Sequence, residues 1–238
     1  MRSKFPGFGP EALAFLRSLK RNNRREWFQP RKDVYESSIK APMLELLGCL
    51  NEGFAEFAPK HVTPPQKALF RIYRDTRFSN DKTPYKTHIS GIFPLQNSPG
   101  KQGGAFYFHF TEKELLVFGG VYTPVPEELL AIRNLIQDRH EELEAILANK
   151  TLRKTIGGMQ GAQLTRMPKG FSEDHPAATL LRHKQWYLEN RLDFGFVTSS
   201  KLAVELIRHF QIMAPFVQFL DRPFAPRQAP KKMPFAAF

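Results

Sequence analysis

The run Ala105-Phe106-Tyr107-Phe108-His109-Phe110 alternates its phenylalanines with other side chains at a strict period of two. An extended strand sends successive side chains to opposite faces, so Phe106, Phe108 and Phe110 share one side and Tyr107 and His109 the other. A row of three phenylalanines needs a covering layer. The short polar segment Thr111–Glu114 joins this run to a second apolar run, Leu115–Val121, as in an antiparallel pair. Such a sheet buries one face under helices and leaves the other open.

The surrounding patterns supply both strands and cover. Phe70–Asp75 and Tyr85–Phe93 are expected as two more strands around a turn at Ser79–Pro84, and Lys184–Leu192 as a late one. Pro10 and Glu11 open a helix carrying Leu13, Phe15, Leu16 and Leu19 that ends at Asn22 and Asn23. Asn23 and Glu26 have capping-box spacing for a short second helix. A longer helix from about Arg31 places Tyr35, Ile39, Met43, Leu46, Leu47 and Leu50 at helical spacing, with Pro42 implying a kink or break. Further helices are expected after Pro126, after Ser172, and after Thr198 or Ser199. Helices, then strands, then helices with one late strand make an α+β order, not an alternating βαβ array. The expected fold is therefore a single α+β domain over residues 1–221, with a central, mainly antiparallel sheet and helices packed on one face. Residues 222–238 hold four prolines and four Lys/Arg and are expected to form a disordered tail.

Charge narrows the partners. With 35 Lys+Arg against 23 Asp+Glu the chain carries +12, which favours anionic partners. The excess is uneven. Residues 1–40 hold ten basic and four acidic side chains, residues 60–88 seven and two, and residues 101–150 five and eight. If the two basic zones meet in space, the surface is polarised. The lone Cys49 excludes a disulfide framework or a CxxC metal knuckle, and suits a reducing cytoplasm. Phe5–Pro10 is no signal-peptide core, and no apolar run approaches the roughly 18 residues of a membrane span. No membrane partner is expected.

The densest chemistry lies in Phe70–His88, where Arg71, Arg74, Arg77, Lys82, Lys86 and His88 surround Asp75 and Asp81. Guanidinium forks and ammonium groups in this density suit a phosphate or carboxylate. Alternation puts Arg71, Tyr73 and Asp75 on one face, with Phe70 and Ile72 opposite, and puts Lys86, His88 and Ser90 together on the next strand. Joined to Tyr107 and His109, these form one polar patch. In it Asp75, His88, Tyr107 and His109 are the candidates to position or exchange protons. Arg71, Arg74, Arg77, Ser79, Asp81, Lys82, Tyr85 and Lys86 are the candidates to hold the ligand. The blander alternative is a structural ion network in which Asp75 and Asp81 neutralise their arginine neighbours and Tyr85 packs the turn.

No GxSxG, GxxxxGK[ST] or GxGxxG motif is present, and nothing names a cofactor. Asp75, Asp81, His88 and His109 are metal-ligand types without HxH, HExxH or HxxxH spacing, and the nearby cations oppose a divalent ion, so no metal is expected. Gly119 and Gly120 before a helix suit either close backbone approach by an anion or close helix–sheet packing.

Several segments together resemble one family. Arg74–His88 (RDTRFSNDKTPYKTH) is similar to the signature of a bacterial and fungal family filed as domain of unknown function 2461. The similarity extends to Asn22–Phe28, Tyr107–Phe110, Gly119–Arg133 and Asp174–Trp186. The resemblance implies one domain over nearly the whole chain before the tail and marks the charged segment as the site, without supplying an activity. Three functions remain. The leading one is a cytoplasmic protein that binds a small phosphorylated or carboxylated ligand in a basic pocket and, if His88 or His109 moves a proton, acts on it. The alternatives are a nucleic-acid-binding module using both basic zones, and a protein-interaction module using the proline-rich tail.

Overall fold

A computed structural model describes residues 4–77, 80–98, 100 and 102–225. The chain opens with α1 (Pro10–Arg21), the single turns α2 (Arg25–Phe28) and α3 (Lys32–Tyr35), and the long α4 (Ala41–Phe57), followed by α5 (Pro65–Ala68). Strands β1 (Ile89–Pro94), β2 (Ala105–Phe110) and β3 (Leu115–Val121) come next. Then follow α6 (Pro126–Leu147), α7 (Lys150–Thr155), α8 (Ala178–Leu181), β4 (Trp186–Leu192) and α9 (Leu202–Asp221). The four strands form one sheet in the order β1-β2-β3-β4, antiparallel throughout. The α+β class, the antiparallel sheet and the helical cover are as the sequence implies. Among the described residues no helix is long and apolar enough to cross a membrane.

Register explains the burial. Phe106, Phe108 and Phe110 stand beside Phe93, Gly91 and Ile89 on one side and Gly119, Val117 and Leu115 on the other. All three phenylalanines are fully buried, with Phe54 of α4 and Phe210 of α9 packed on Phe106 and Phe8 packed on Phe110. Gly119 is the point of closest approach: a Cβ there would lie 3.1 Å from both Met213 Sδ and Val217 Cγ2. Its neighbour Gly120 has φ +139°, and a Cβ there would meet the Trp186 carbonyl oxygen at 2.3 Å. The pair therefore serves helix–sheet and strand–strand packing. The opposite face presents Ser90, Tyr107, His109, Leu116, Phe118, Tyr187 and Glu189.

Pro42 leaves its mark upstream, where Glu36–Lys40 widens into a π-turn before α4. Proline has no N–H to offer the carbonyl four residues back, and its ring crowds that position, so the helix loosens there instead of breaking. The helix expected after Pro126 runs on to Leu147 as α6, with non-helical geometry at Arg139. Ser172 caps a turn through the Asp174 N–H, not a helix. Residues 226–238, most of the segment expected as a tail, lie outside the described residues. Within 222–225, Arg222 pairs with Glu142 and Phe224 is buried.

The main departure concerns the first two expected strands. Phe70–Asp75 forms only one isolated bridge, Tyr73 to Tyr85, with Leu69 just before it bridging Gly91, and β1 begins at Ile89 instead of Tyr85. Lys86 N–H donates to Ile72 O at 2.8 Å and Arg74 N–H to Pro84 O at 2.9 Å, which spends one edge of residues 84–86. The other edge meets a side chain, not a strand. Asn23 Nδ2 donates to Tyr85 O at 2.9 Å, and Tyr85 N–H donates to Asn23 Oδ1 at 3.1 Å. Asn23 thus imitates a neighbouring strand. It does not cap α2, whose cap residue is Arg24 and which receives no side-chain hydrogen bond there.

Candidate anion-binding site

The Asn23–Tyr85 clamp brings the two basic zones together. Tyr85 is buried and stacks on Phe28 of α2, with ring centroids 4.1 Å apart. Around this anchor lies a cavity of about 630 Å³, lined by Arg24 and Arg25 from the N-terminal helices and by Arg74, Lys82, Tyr73 and Thr76 from the charged segment. Four cationic side chains thus converge from sequence positions roughly fifty residues apart, with Glu26 the one carboxylate among the lining residues. Arg74 Nη1 meets Asp81 Oδ2 at 3.1 Å, while its Nε is buried and has no hydrogen-bond partner among the described residues. A buried donor left without an acceptor is costly. Lys82 Nζ donates to Thr76 O at 2.9 Å, which draws its ammonium back over the turn. Asp81 accepts from the Thr83 hydroxyl and N–H, and these bonds, with Arg74, hold its carboxyl below the usual range.

A second group stands where the segment reaches the open sheet face. Burial, reinforced by the charges of His109, Lys86 and Arg74, pushes the His88 imidazole down to about 4. Its ring lies 5.3 Å from that of His109, which in turn lies 5.6 Å from Tyr107. His109 Nε2 meets Glu114 Oε1 at 3.3 Å, and Nδ1 is buried without a partner among the described residues. Lys86 is lowered by burial and then by Arg71 and Arg74, and its Nζ rests 4.7 Å over the Phe70 ring. Burial raises the Tyr107 hydroxyl, and a hydrogen bond with Ser90 offsets part of that rise. At neutral pH this group offers a neutral imidazole beside an ammonium and a guanidinium. A proton acceptor next to positive charge is competent for proton uptake when an anion arrives.

The remaining candidates lie around these two groups. Asp75 and Arg77 form an exposed two-pronged pair with Arg77 Nη2 at 2.7 Å from Asp75 Oδ2, and Arg77 holds the carboxyl far below its ordinary range. Arg71 is exposed, and its charge acts on Lys86 and Asp75. Ser79 lies outside the described residues. Phe70, grouped by alternation with the core-facing Ile72, is 37% exposed instead, because this stretch is not a regular strand. Arg24, Arg25 and Gln29 were not among the sequence candidates, although the basic excess of residues 1–40 was the available signal. No group of three His, Cys, Asp or Glu that could hold a metal ion occurs among the described residues.

A family model described as "Conserved hypothetical protein (DUF2461)" matches residues 11–219, and the chain belongs to that family. No curated protein and no solved structure matches it.

Proposed function

We propose that the protein binds a small phosphorylated or carboxylated ligand where the charged segment meets the N-terminal helices. Arg74, with Arg24, Arg25, Lys82 and Lys86, would hold the anion. His88, in contact with His109, would take up a proton as negative charge settles beside it. The observation that carries this is the convergence of both basic zones on one cavity, lined by Arg24, Arg25, Arg74 and Lys82. The Asp75–Arg77 pair is exposed and internally satisfied, and it contributes to the shape of the turn more than to the anion site.

Isothermal titration with inorganic phosphate tests it. The wild-type protein should bind in the micromolar to millimolar range, and Arg74→Gln and Arg25→Gln should each weaken binding by about tenfold, the loss of one charge-assisted contact. Absence of phosphate binding at millimolar concentration, or binding indifferent to both substitutions, would overturn the assignment.

A further inference from the structure

The open face of the sheet carries a cleft of about 540 Å³, within the range of about 300–1,000 Å³ usual for small-molecule sites. Aromatic rings stand at both sides of it. On the β1 side Phe70 meets Tyr107 at 6.1 Å, edge to face. On the β4 side Phe118 stacks on Tyr187 at 4.9 Å, and Tyr122 stands edge-on to both at 5.7 and 5.4 Å. Tyr122 is nevertheless 56% exposed. Large rings held at an open cleft leave π-faces that a planar ligand can cover.

Charge runs across the sheet. Lys86 and His88 contact cleft residues at the β1 side, through Phe70 and His109. At the far side, about 14 Å away by three strand spacings, Glu189 of β4 lines the cleft opposite Phe118. No hydrogen bond or ion pair joins the Glu189 carboxylate to the other described residues. The second carboxylate, Glu128, is already engaged by the Gly103 N–H at 2.7 Å. The complementary ligand therefore has a flat apolar body, N–H donors at one end and an anion at the other.

We infer that this cleft receives the ring of an amino-bearing nitrogen heterocycle whose phosphate faces Lys86 and Arg74, in chemical class a mononucleotide. The ring lies against Tyr107, Phe118 and Tyr122, and Glu189 accepts its N–H groups. The phosphate end rests on the anion-binding function proposed above, whereas the ring end stands on the cleft alone.

Titration with adenosine 5′-monophosphate, adenosine and inorganic phosphate separates the two. The monophosphate should bind at least about tenfold more tightly than either fragment. Tyr122→Ala and Glu189→Gln, both outside the core, should weaken the monophosphate and adenosine by about fivefold or more and leave phosphate unchanged. Lys86→Gln should weaken the monophosphate and phosphate but not adenosine. Adenosine binding without phosphate binding would overturn the anion site and keep the ring site. A monophosphate that binds no better than phosphate, or ignores both cleft substitutions, would overturn the ring site. Tighter, steeply salt-dependent binding of a single-stranded oligonucleotide would overturn the mononucleotide assignment in favour of nucleic acid.

Discussion

Replacing Asn23 with alanine should cost far more than the loss of a helix cap. The side chain makes two hydrogen bonds to the backbone of Tyr85, 62 residues away, and both are partly buried. Removing it strands one N–H and one C=O. Each hydrogen bond contributes about 1 kcal/mol net, and a buried group left unsatisfied costs about 1–3 kcal/mol, so the expected loss is about 2–4 kcal/mol. In a chain of this size that corresponds to a fall in Tm of roughly 4–16 °C. Glu26→Ala provides the contrast. A capping box would make the two substitutions similar, whereas the observed geometry gives Glu26 no cap bond and predicts a change within about 0.5 kcal/mol. Urea unfolding of both variants measures the difference, and amide exchange at Tyr85 and Lys86 locates it. The reasoning is refuted if Asn23→Ala loses less than about 1 kcal/mol, or if Glu26→Ala loses as much. Because the same clamp joins the two halves of the basic cavity, phosphate affinity should fall with it.

Two further outcomes follow from the buried groups. His88 has a folded pKa of about 4 against an ordinary 6.5, so above 6.5 neither folded nor unfolded chain carries the proton, and between 6.5 and about 4 only the unfolded chain takes it. Stability should therefore fall as pH drops through that window, by about 2 kcal/mol once solvent screening of a half-buried ring is allowed for, and His88→Gln should remove that component from denaturation curves measured at pH 7 and pH 4.5. Asp221 accepts from Gly104 N–H at 2.7 Å and pairs with the buried His61 at 2.9 Å, while the other His61 nitrogen lies 3.0 Å from Phe93 O. Asp221→Ala, which strands the Gly104 N–H and one His61 nitrogen, should cost about 2–4 kcal/mol in urea unfolding, and a loss under about 1 kcal/mol would show that these hydrogen bonds do not tie α9 to the sheet.

The sheet was legible where its pattern was local. Phe106, Phe108 and Phe110 announce their buried face through a period of two, and the Pro42 distortion follows from a missing N–H. The first two expected strands failed for the opposite reason. Nothing within Tyr85–His88 distinguishes a residue that pairs with a strand from one whose backbone is taken by Asn23, because the partner lies far away in the chain. The site behaved likewise. Alternation joined His88 to Tyr107 and His109, and the rings do approach one another. It could not separate Lys82, which lines the cavity beside the N-terminal helices, from Lys86 and His88, which face the sheet, or show that Arg74 stands between the two groups, lining that cavity while its charge reaches Lys86 and His88. Nor could it supply Arg24 and Arg25.

By itself the sequence determined the α+β class, the antiparallel pairing of the central strands, the side of the sheet that helices cover, and the segment richest in anion-binding groups. Each is written in spacing along the chain, where short-range sterics and the burial of apolar faces act. Tertiary structure alone decided that the two basic zones share one cavity and that Tyr85, stacked on Phe28, anchors their junction. It also decided that aromatic rings line both sides of the open face, with Lys86 over Phe70 at one side and Glu189 at the other. These depend on contacts closed over tens of residues, whose geometry is set by the packing of α2 against the charged segment and of α9 against β3.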